Sequence, residues 1–170
     1  MTIHREHPFL DPEPSWDAVR RLRGRHASGV AVWTTGTGSG RVGLTVSSMM
    51  VAGGEPARML GLLDPLSDLA EAVPGTGTVA VTLLRRDEHY LAEVFAGLAP
   101  SPGGRFTQAE FADTTWGPVL AGERSWAGLR VESTIDVGWS SLLTCVVEHV
   151  EVADEPAPLV HHRGRYQGLA

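Results

Sequence analysis

The apolar residues of this chain fall in short blocks divided by glycine and proline, and the spacing within each block separates strands from helices. β-Branched runs at 29–35 (GVAVWTT) and 78–84 (TVAVTLL) read as strands, with a further apolar strand at 58–63. The segment 36–40, GTGSG, has Gly-x-Gly-x-Gly spacing and no helix after it, so it reads as a hairpin turn into a paired strand at 41–51. Two long stretches, 126–137 and 142–152, alternate apolar and polar residues (Leu129, Val131; then Val146, Glu148, Val150) as half-buried strands do.

Three stretches carry helical spacing instead. Ser15 is placed to cap a helix that ends near His26, with Trp16, Val19 and Leu22 on one face and Arg20, Arg21, Arg23 and Arg25 elsewhere. Asp64 with Pro65 reads as the cap and first position of a short helix carrying Leu66, Leu69 and Val73, closed by a turn at 74–77. Asp87 starts a third, with Leu91, Val94, Phe95 and Leu98 on one face before the Pro/Gly break at 100–104. Residues 1–14 hold three prolines and no periodicity, which predicts an N-terminal arm before a single domain at 15–170. The tail, 159–169, is polar with aromatic punctuation.

This order lacks regular strand–helix–strand alternation, which excludes a parallel nucleotide-binding sheet and favours a mainly β, antiparallel barrel with a few short helices. Twenty glycines and eleven prolines in 170 residues fit such a turn-rich fold. A net charge of −6 argues against non-specific nucleic-acid binding. All fourteen basic residues are arginine, so mechanisms that need a lysine amine are excluded. The single cysteine, Cys145, lies in an apolar run and reads as a buried thiol, and one cysteine forms no internal disulfide. No apolar leader and no run near the length of a membrane span is present, so the expectation is a cytoplasmic protein without a membrane partner.

Candidate chemistry concentrates in 43–67, GLTVSSMMVAGGEPARMLGLLDPLS. Thr45, Ser47 and Ser48 offer hydroxyls along a strand edge. The helix start at Asp64, Pro65 and Ser67 offers orphan N–H groups and a positive dipole end, which suit a phosphate. Arg85 or Arg86 is a candidate source of positive charge. His161 and His162 are adjacent, so on a strand they point to opposite faces and do not chelate one metal; no metal site is expected.

These segments together resemble the flavin reductase-like, FMN-binding split-barrel family. The resemblance rests on 29–35, on Gly43-Leu44-Thr45-Val46-Ser47-Ser48, on 60–67, on Leu91 to Phe95 with Arg105-Phe106, on Gly117-Pro118-Val119-Leu120 with Trp126-Ala127-Gly128-Leu129, and on Pro158-Leu159 through Arg163-Gly164-Arg165-Tyr166. It implies a six-stranded antiparallel Greek-key split barrel, a homodimer with flavin near the subunit interface, and an NAD(P)H:flavin reductase that supplies reduced flavin to a partner monooxygenase. It implies FMN (or FAD) as cofactor and NADH or NADPH as co-substrate. The implied flavin contacts are Thr45, Val46, Ser47, Ser48, Met49, Leu63, Asp64, Pro65, Ser67, Arg86 and Tyr166. The sequence departs from the family where a Gly-Asp-His motif is expected: Gly138-Trp139-Ser140 stands there, leaving Ser140 as the candidate nicotinamide contact. Thr82 stands where the family has a strand Asn. The alternative is therefore an FMN-binding split barrel without efficient nicotinamide use, acting as carrier, sensor or scaffold. A third reading is a split barrel for another planar cofactor, a deazaflavin or a haem.

Overall fold

The computed structural model describes residues 14–154 and 156–169; the expected arm lies, but for Pro14, outside them, as do the side chains of Ser15 and Trp16. In chain order the elements are helix α1 (Pro14–Arg25), strands β1 (Ser28–Gly29), β2 (Ala31–Thr35), β3 (Val42–Val46), β4 (Met49–Ala52) and β5 (Arg58–Leu63), helix α2 (Asp68–Thr76), β6 (Thr78–Leu83), helix α3 (His89–Phe95), β7 (Phe111–Asp113), β8 (Pro118–Leu120), β9 (Trp126–Val137), β10 (Ser140–Glu151), β11 (Leu159–His162) and β12 (Arg165–Gly168).

The expected strand at 41–51 breaks at Ser47-Ser48, and that break sets the architecture. Seven strands form one antiparallel sheet in the order β3-β2-β6-β9-β10-β5-β4. β3 is one edge and β4 the other, yet two residues join them, so the sheet curls until its edges meet. Leu62 N donates to Ser48 O at 2.9 Å, which extends the β4–β5 pairing back into the two-residue link from β3. A split barrel results, with seven strands in the main sheet rather than six because one predicted strand supplies both edges. Two smaller sheets accompany it: β1-β11-β12 and β7-β8.

Inside the barrel, Trp33, Leu63, Val79, Val81, Leu129, Leu143 and Cys145 are buried together, and Leu69 and Val73 of α2 plug its end. Gly61 on β5 has no side chain because the Trp33 indole lies where one would be: a Cβ there would sit 2.5 Å from the ring. Burial pushes the Cys145 thiol up to about 12, so it stays protonated and inert, as the sequence suggests. A second core lies outside the sheet, where Leu91, Val94 and Phe95 of α3 meet Val30, Val32, Leu84 and Leu159. Phe95, Phe106 and Phe111 pack edge to face there, with centroids 5.1 and 4.9 Å apart for the Phe95–Phe106 and Phe106–Phe111 pairs.

Three local expectations need correction. Helix α2 is capped by Ser67, not Asp64: Ser67 is extended and its Oγ accepts from Ala70 N at 3.2 Å. Asp64 accepts from Leu66 N at 2.9 Å in a tight turn before the helix. The apolar stripe decides between the two caps, since Leu69 and Val73 are buried while Leu66 is 92% exposed. The helix also runs through Pro74, which sits in its last turn, and closes at left-handed Gly77, whose N–H reaches Val73 O. Finally, the polar tail is a hairpin, β11–β12, and β11 pairs with β1.

Candidate functional site

Ser47 and Ser48 mark the floor of a cleft of about 930 Å³. Its floor is the outer face of the curled sheet, because alternate residues of β5 and β10 point out of the barrel. Leu60, Leu62 and Leu142 therefore face the cleft while Met59, Leu63 and Leu143 fill the core. Met50 completes the apolar floor, and Met49 borders the cleft while packing against the barrel core. The opposite wall comes from α1 and from the turn between β11 and β12. Arg163 and Gly164 form that turn with φ of 52° and 73°, the two left-handed residues of a tight hairpin. Arg163 N donates to Gly24 O at 2.6 Å, which ties the hairpin to the end of α1.

The wall is strongly basic. Arg20, Arg21, Arg23, Arg25 and Arg163 line it, five of the fourteen arginines, against one carboxylate, Asp17. Asp17 pairs with Arg21 at 3.8 Å. Among the described residues, Arg20, Arg23, Arg25 and Arg163 have no carboxylate partner. A concave wall of one sign in a chain of net charge −6 focuses its field on anions. His161 also lines the cleft. Burial first, then the charges of Arg23 and His162, hold its imidazole below the ordinary value of 6.5, so it is neutral near pH 7.

A smaller cleft of about 210 Å³ opens further back along β3. Gly43, Leu44, Asp64, Ser67, Asp68 and Arg105 line it, with Phe95 and Ala96 behind. Arg105 Nη1 donates to Gly43 O at 3.2 Å, so a guanidinium sits beside the start of α2. The two clefts lie on either side of Thr45-Val46, about 10 Å apart at the strand rise of β3.

The predicted residues thus separate. Ser47, Ser48 and Met49 line the larger cleft, and Asp64 and Ser67 the smaller one. Val46 and Leu63 bury their side chains in the barrel core and offer only backbone. Thr45 is occupied, because its hydroxyl donates to Ala92 O at 2.6 Å. Pro65 is exposed on the turn before α2. Ser140 follows the tight turn at Gly138 and lines neither cleft. Arg86 lies against Gly168 of β12, away from both clefts. Tyr166 packs against the α3-side core, edge-on to His161 at 5.4 Å, and burial followed by nearby Glu93 raises its phenol. His161 and His162 diverge as expected, and among the described residues no His/Cys/Asp/Glu cluster could hold a metal.

The arginines of α1, Arg163 and Arg105 are visible in the sequence, the last two within the segments that carry the resemblance, but none is expected there to line a site. Helical periodicity places the α1 arginines off the apolar face, but nothing local says that the tail folds back to make them one wall of a cleft.

Residues 23–170 match the family model described as flavin reductase like domain. The chain is similar to the NADH:FMN oxidoreductase of Rhodococcus qingshengii, 32% identical over 153 residues that span 84% of this chain and 76% of that protein. It is similar to the FMN reductase (NADH) RutF of Ancylobacter novellus, 29% identical over 164 residues, 96% of this chain and 88% of the relative. Among solved structures it resembles the styrene monooxygenase flavin reductase of Pseudomonas putida S12, with a TM-score of 0.78, 25% identity, and 89% of this chain and 97% of that one covered.

Proposed function

This chain belongs to the flavin reductase like family, and we infer from that membership and from its clefts that it is a flavin reductase, which reduces bound flavin with a nicotinamide nucleotide and supplies reduced flavin to a partner monooxygenase. The observation that carries the reading is the larger cleft: hydroxyls and apolar side chains on its floor, arginines on its wall. A flavin ring needs such a surface, with apolar contact for its flat face and donors at its edge, and the phosphates of a nicotinamide nucleotide need cations beside it.

The residues present fit the group. Met50, Leu60, Leu62 and Leu142 give the ring an apolar floor, and Ser47 and Ser48 sit at its edge. The β3 edge then leads to the smaller cleft, where the Ser67 hydroxyl, the Arg105 guanidinium and the N–H groups at the start of α2 are the donors for the flavin phosphate, against the carboxylates of Asp64, engaged by Leu66 N, and Asp68. Arg105 takes the role that the sequence suggests for Arg86. The bound flavin supplies the hydride-accepting ring. The protein binds, orients and excludes water, and hydride transfer asks no acid of it. Neutral His161 is a hydrogen-bonding group at the arginine wall. We assign FMN, the flavin in the names of both relatives, which share 32% and 29% of their aligned residues with this chain.

We also assign a homodimer. Met50, Leu60, Leu62, Leu142, Ile135 and Val137 share the outer face of β4, β5, β10 and β9, in register through Leu62, Leu142 and Ile135. Beyond the four that floor the cleft, Ile135 is 55% and Val137 43% exposed, an apolar extension of the floor that a second copy would cover beside the flavin. We assign the protein to the cytoplasm, beside its nucleotide substrates; among the described residues no helix is long and apolar enough to cross a membrane.

The second reading, a flavin-binding protein without nicotinamide use, draws on Gly138-Trp139-Ser140. Trp139 is 68% exposed at the β9–β10 tip, and Ser140 lines neither cleft. Anaerobic stopped-flow mixing of the FMN-loaded protein with NADH and with NADPH tests both. Bleaching of the oxidised-flavin band is the expected result. Retained flavin without bleaching would favour the second reading, and failure to retain or turn over any flavin would overturn both.

A further inference from the structure

Among the described residues, the smaller cleft holds one arginine, Arg105, beside Ser67, with Asp64 and Asp68 also in its lining, so it has donors for a single phosphate and no surplus of positive charge. The larger cleft holds five arginines beyond the edge of the flavin floor. One flavin phosphate placed at Ser67 leaves that wall without an anion to neutralise. The larger cleft, at about 930 Å³, is at the upper end of the volume range of small-molecule sites, roughly 300–1,000 Å³, and so has room beyond a flavin ring.

We propose that the arginine wall formed by Arg20, Arg23, Arg25 and Arg163 is the donor subsite and selects the phosphorylated nicotinamide nucleotide, NADPH, over NADH. The proposal rests on the flavin reductase reading and adds the identity of the donor.

The two donors differ only in a 2′-phosphate, which brings close to two further negative charges near pH 7. A guanidinium meets a phosphate with paired, charge-assisted hydrogen bonds, and arginine is the residue that accommodates a 2′-phosphate in dinucleotide sites. NADH presents only its pyrophosphate, so it leaves part of this wall facing itself. Arg23 and Arg163 come from separate elements, α1 and the β11–β12 turn, that meet through Arg163 N and Gly24 O. The wall is therefore a tertiary feature and not only a charged helix. The relatives named for NADH differ from this chain at about two-thirds of aligned positions.

Two experiments test it. In the first, adenosine 2′,5′-bisphosphate and AMP are titrated calorimetrically into the FMN-loaded full chain and into Arg23→Gln and Arg20→Gln/Arg163→Gln variants. The bisphosphate is expected to bind at least tenfold tighter than AMP, and each variant to lose most of that difference. Equal binding of the two probes, or no binding of either, would overturn the proposal. In the second, kcat/KM is measured for both donors. The NADPH/NADH ratio is expected above ten for the natural chain and at least tenfold lower in the double variant. A ratio at or below one overturns the donor assignment. FMN affinity that falls in step with the substitutions also overturns it, because the arginines would then hold the flavin phosphate. The flavin reductase reading fails by a different result: neither donor bleaches bound FMN while the bisphosphate still binds tightly.

Discussion

Thr45 of β3 donates its hydroxyl hydrogen to the carbonyl of Ala92 in α3 at 2.6 Å. The same carbonyl accepts the Ala96 N–H at 3.0 Å, so one acceptor ties the barrel edge to the last turn of the helix. The side chain that the sequence offers as a flavin contact thus faces the outer core, and it anchors β3 at the edge of the sheet. Thr45→Val is therefore expected to lower stability by about 1 kcal/mol and to leave FMN affinity within twofold. Ser48→Ala is expected to do the reverse, weakening FMN binding severalfold with little change in melting temperature. Thermal melts and fluorescence titration of the two single variants separate these roles. A Thr45→Val variant that melts normally but loses FMN would sink the assignment.

The barrel was legible because its strands are β-branched runs with turn residues between them, and 78–84 pairs on both sides as such a run should. The break at Ser47-Ser48 was not, because Val46, Met49 and Met50 continue the apolar pattern across it. What ends β3 there is closure of the whole sheet. The start of α2 was half legible: DPLSD holds three residues of capping type, Asp64, Ser67 and Asp68, and only the burial of Leu69 with exposure of Leu66 chooses Ser67. The β11–β12 hairpin reads as a polar tail because its strands face the surface on one side, although Arg163-Gly164 is a turn signal. The chemistry followed the same division. Ser47, Ser48 and Met49 were singled out by their hydroxyl type and the family resemblance and do line the larger cleft, whereas the arginine wall exists only once that tail returns to α1.

The apolar outer face predicts a self-association that a charge abolishes. Ile135 lies in register with Leu142, and Val137 with Ser140, at the exposed end of β9. Ile135→Arg with Val137→Arg places two cations on that face without touching the barrel interior. The natural chain is expected to run as a dimer by light scattering at micromolar concentration, and the double variant as a folded monomer with an unchanged far-ultraviolet spectrum. A natural chain that stays monomeric under these conditions refutes the dimer.

Away from the clefts, Glu88 and Arg124 form a two-pronged ion pair whose side chains are 15% and 11% exposed. Glu88 also accepts the Arg85 N–H at 2.7 Å, which locks the turn leading into α3. Removing one partner strands a charge in a poorly hydrated place. Arg124→Ala is therefore expected to cost about 3 kcal/mol, while Glu88→Gln with Arg124→Met is expected to recover part of that loss. Urea denaturation of the single and double variants measures the coupling. Additive losses would show that the pair does not act as a unit.

His161 gives the pH dependence a sign. From the neighbouring elements it is faced by Arg23 of α1, Tyr166 of β12 and Ser28 of β1; His162 adjoins it on its own strand and Arg163 shares its cleft. Burial first, then the electrostatic effect of Arg23 and His162, lowers its folded value below the ordinary 6.5. The unfolded chain therefore takes up the proton first as pH falls. Stability from this residue is full above the unfolded value and is lost progressively as pH drops through 6.5 toward the lower folded value. Urea midpoints are expected to fall between pH 7.5 and 5.5, and to fall less in His161→Gln. Arg23→Gln removes a repelling cation, so the His161 ring resonances are expected to titrate at higher pH in that variant. Adenosine 2′,5′-bisphosphate, by placing anions against the same wall, is expected to move the titration the same way in the natural chain. A His161 titration indifferent to both changes would mean that the imidazole does not sense the arginine wall.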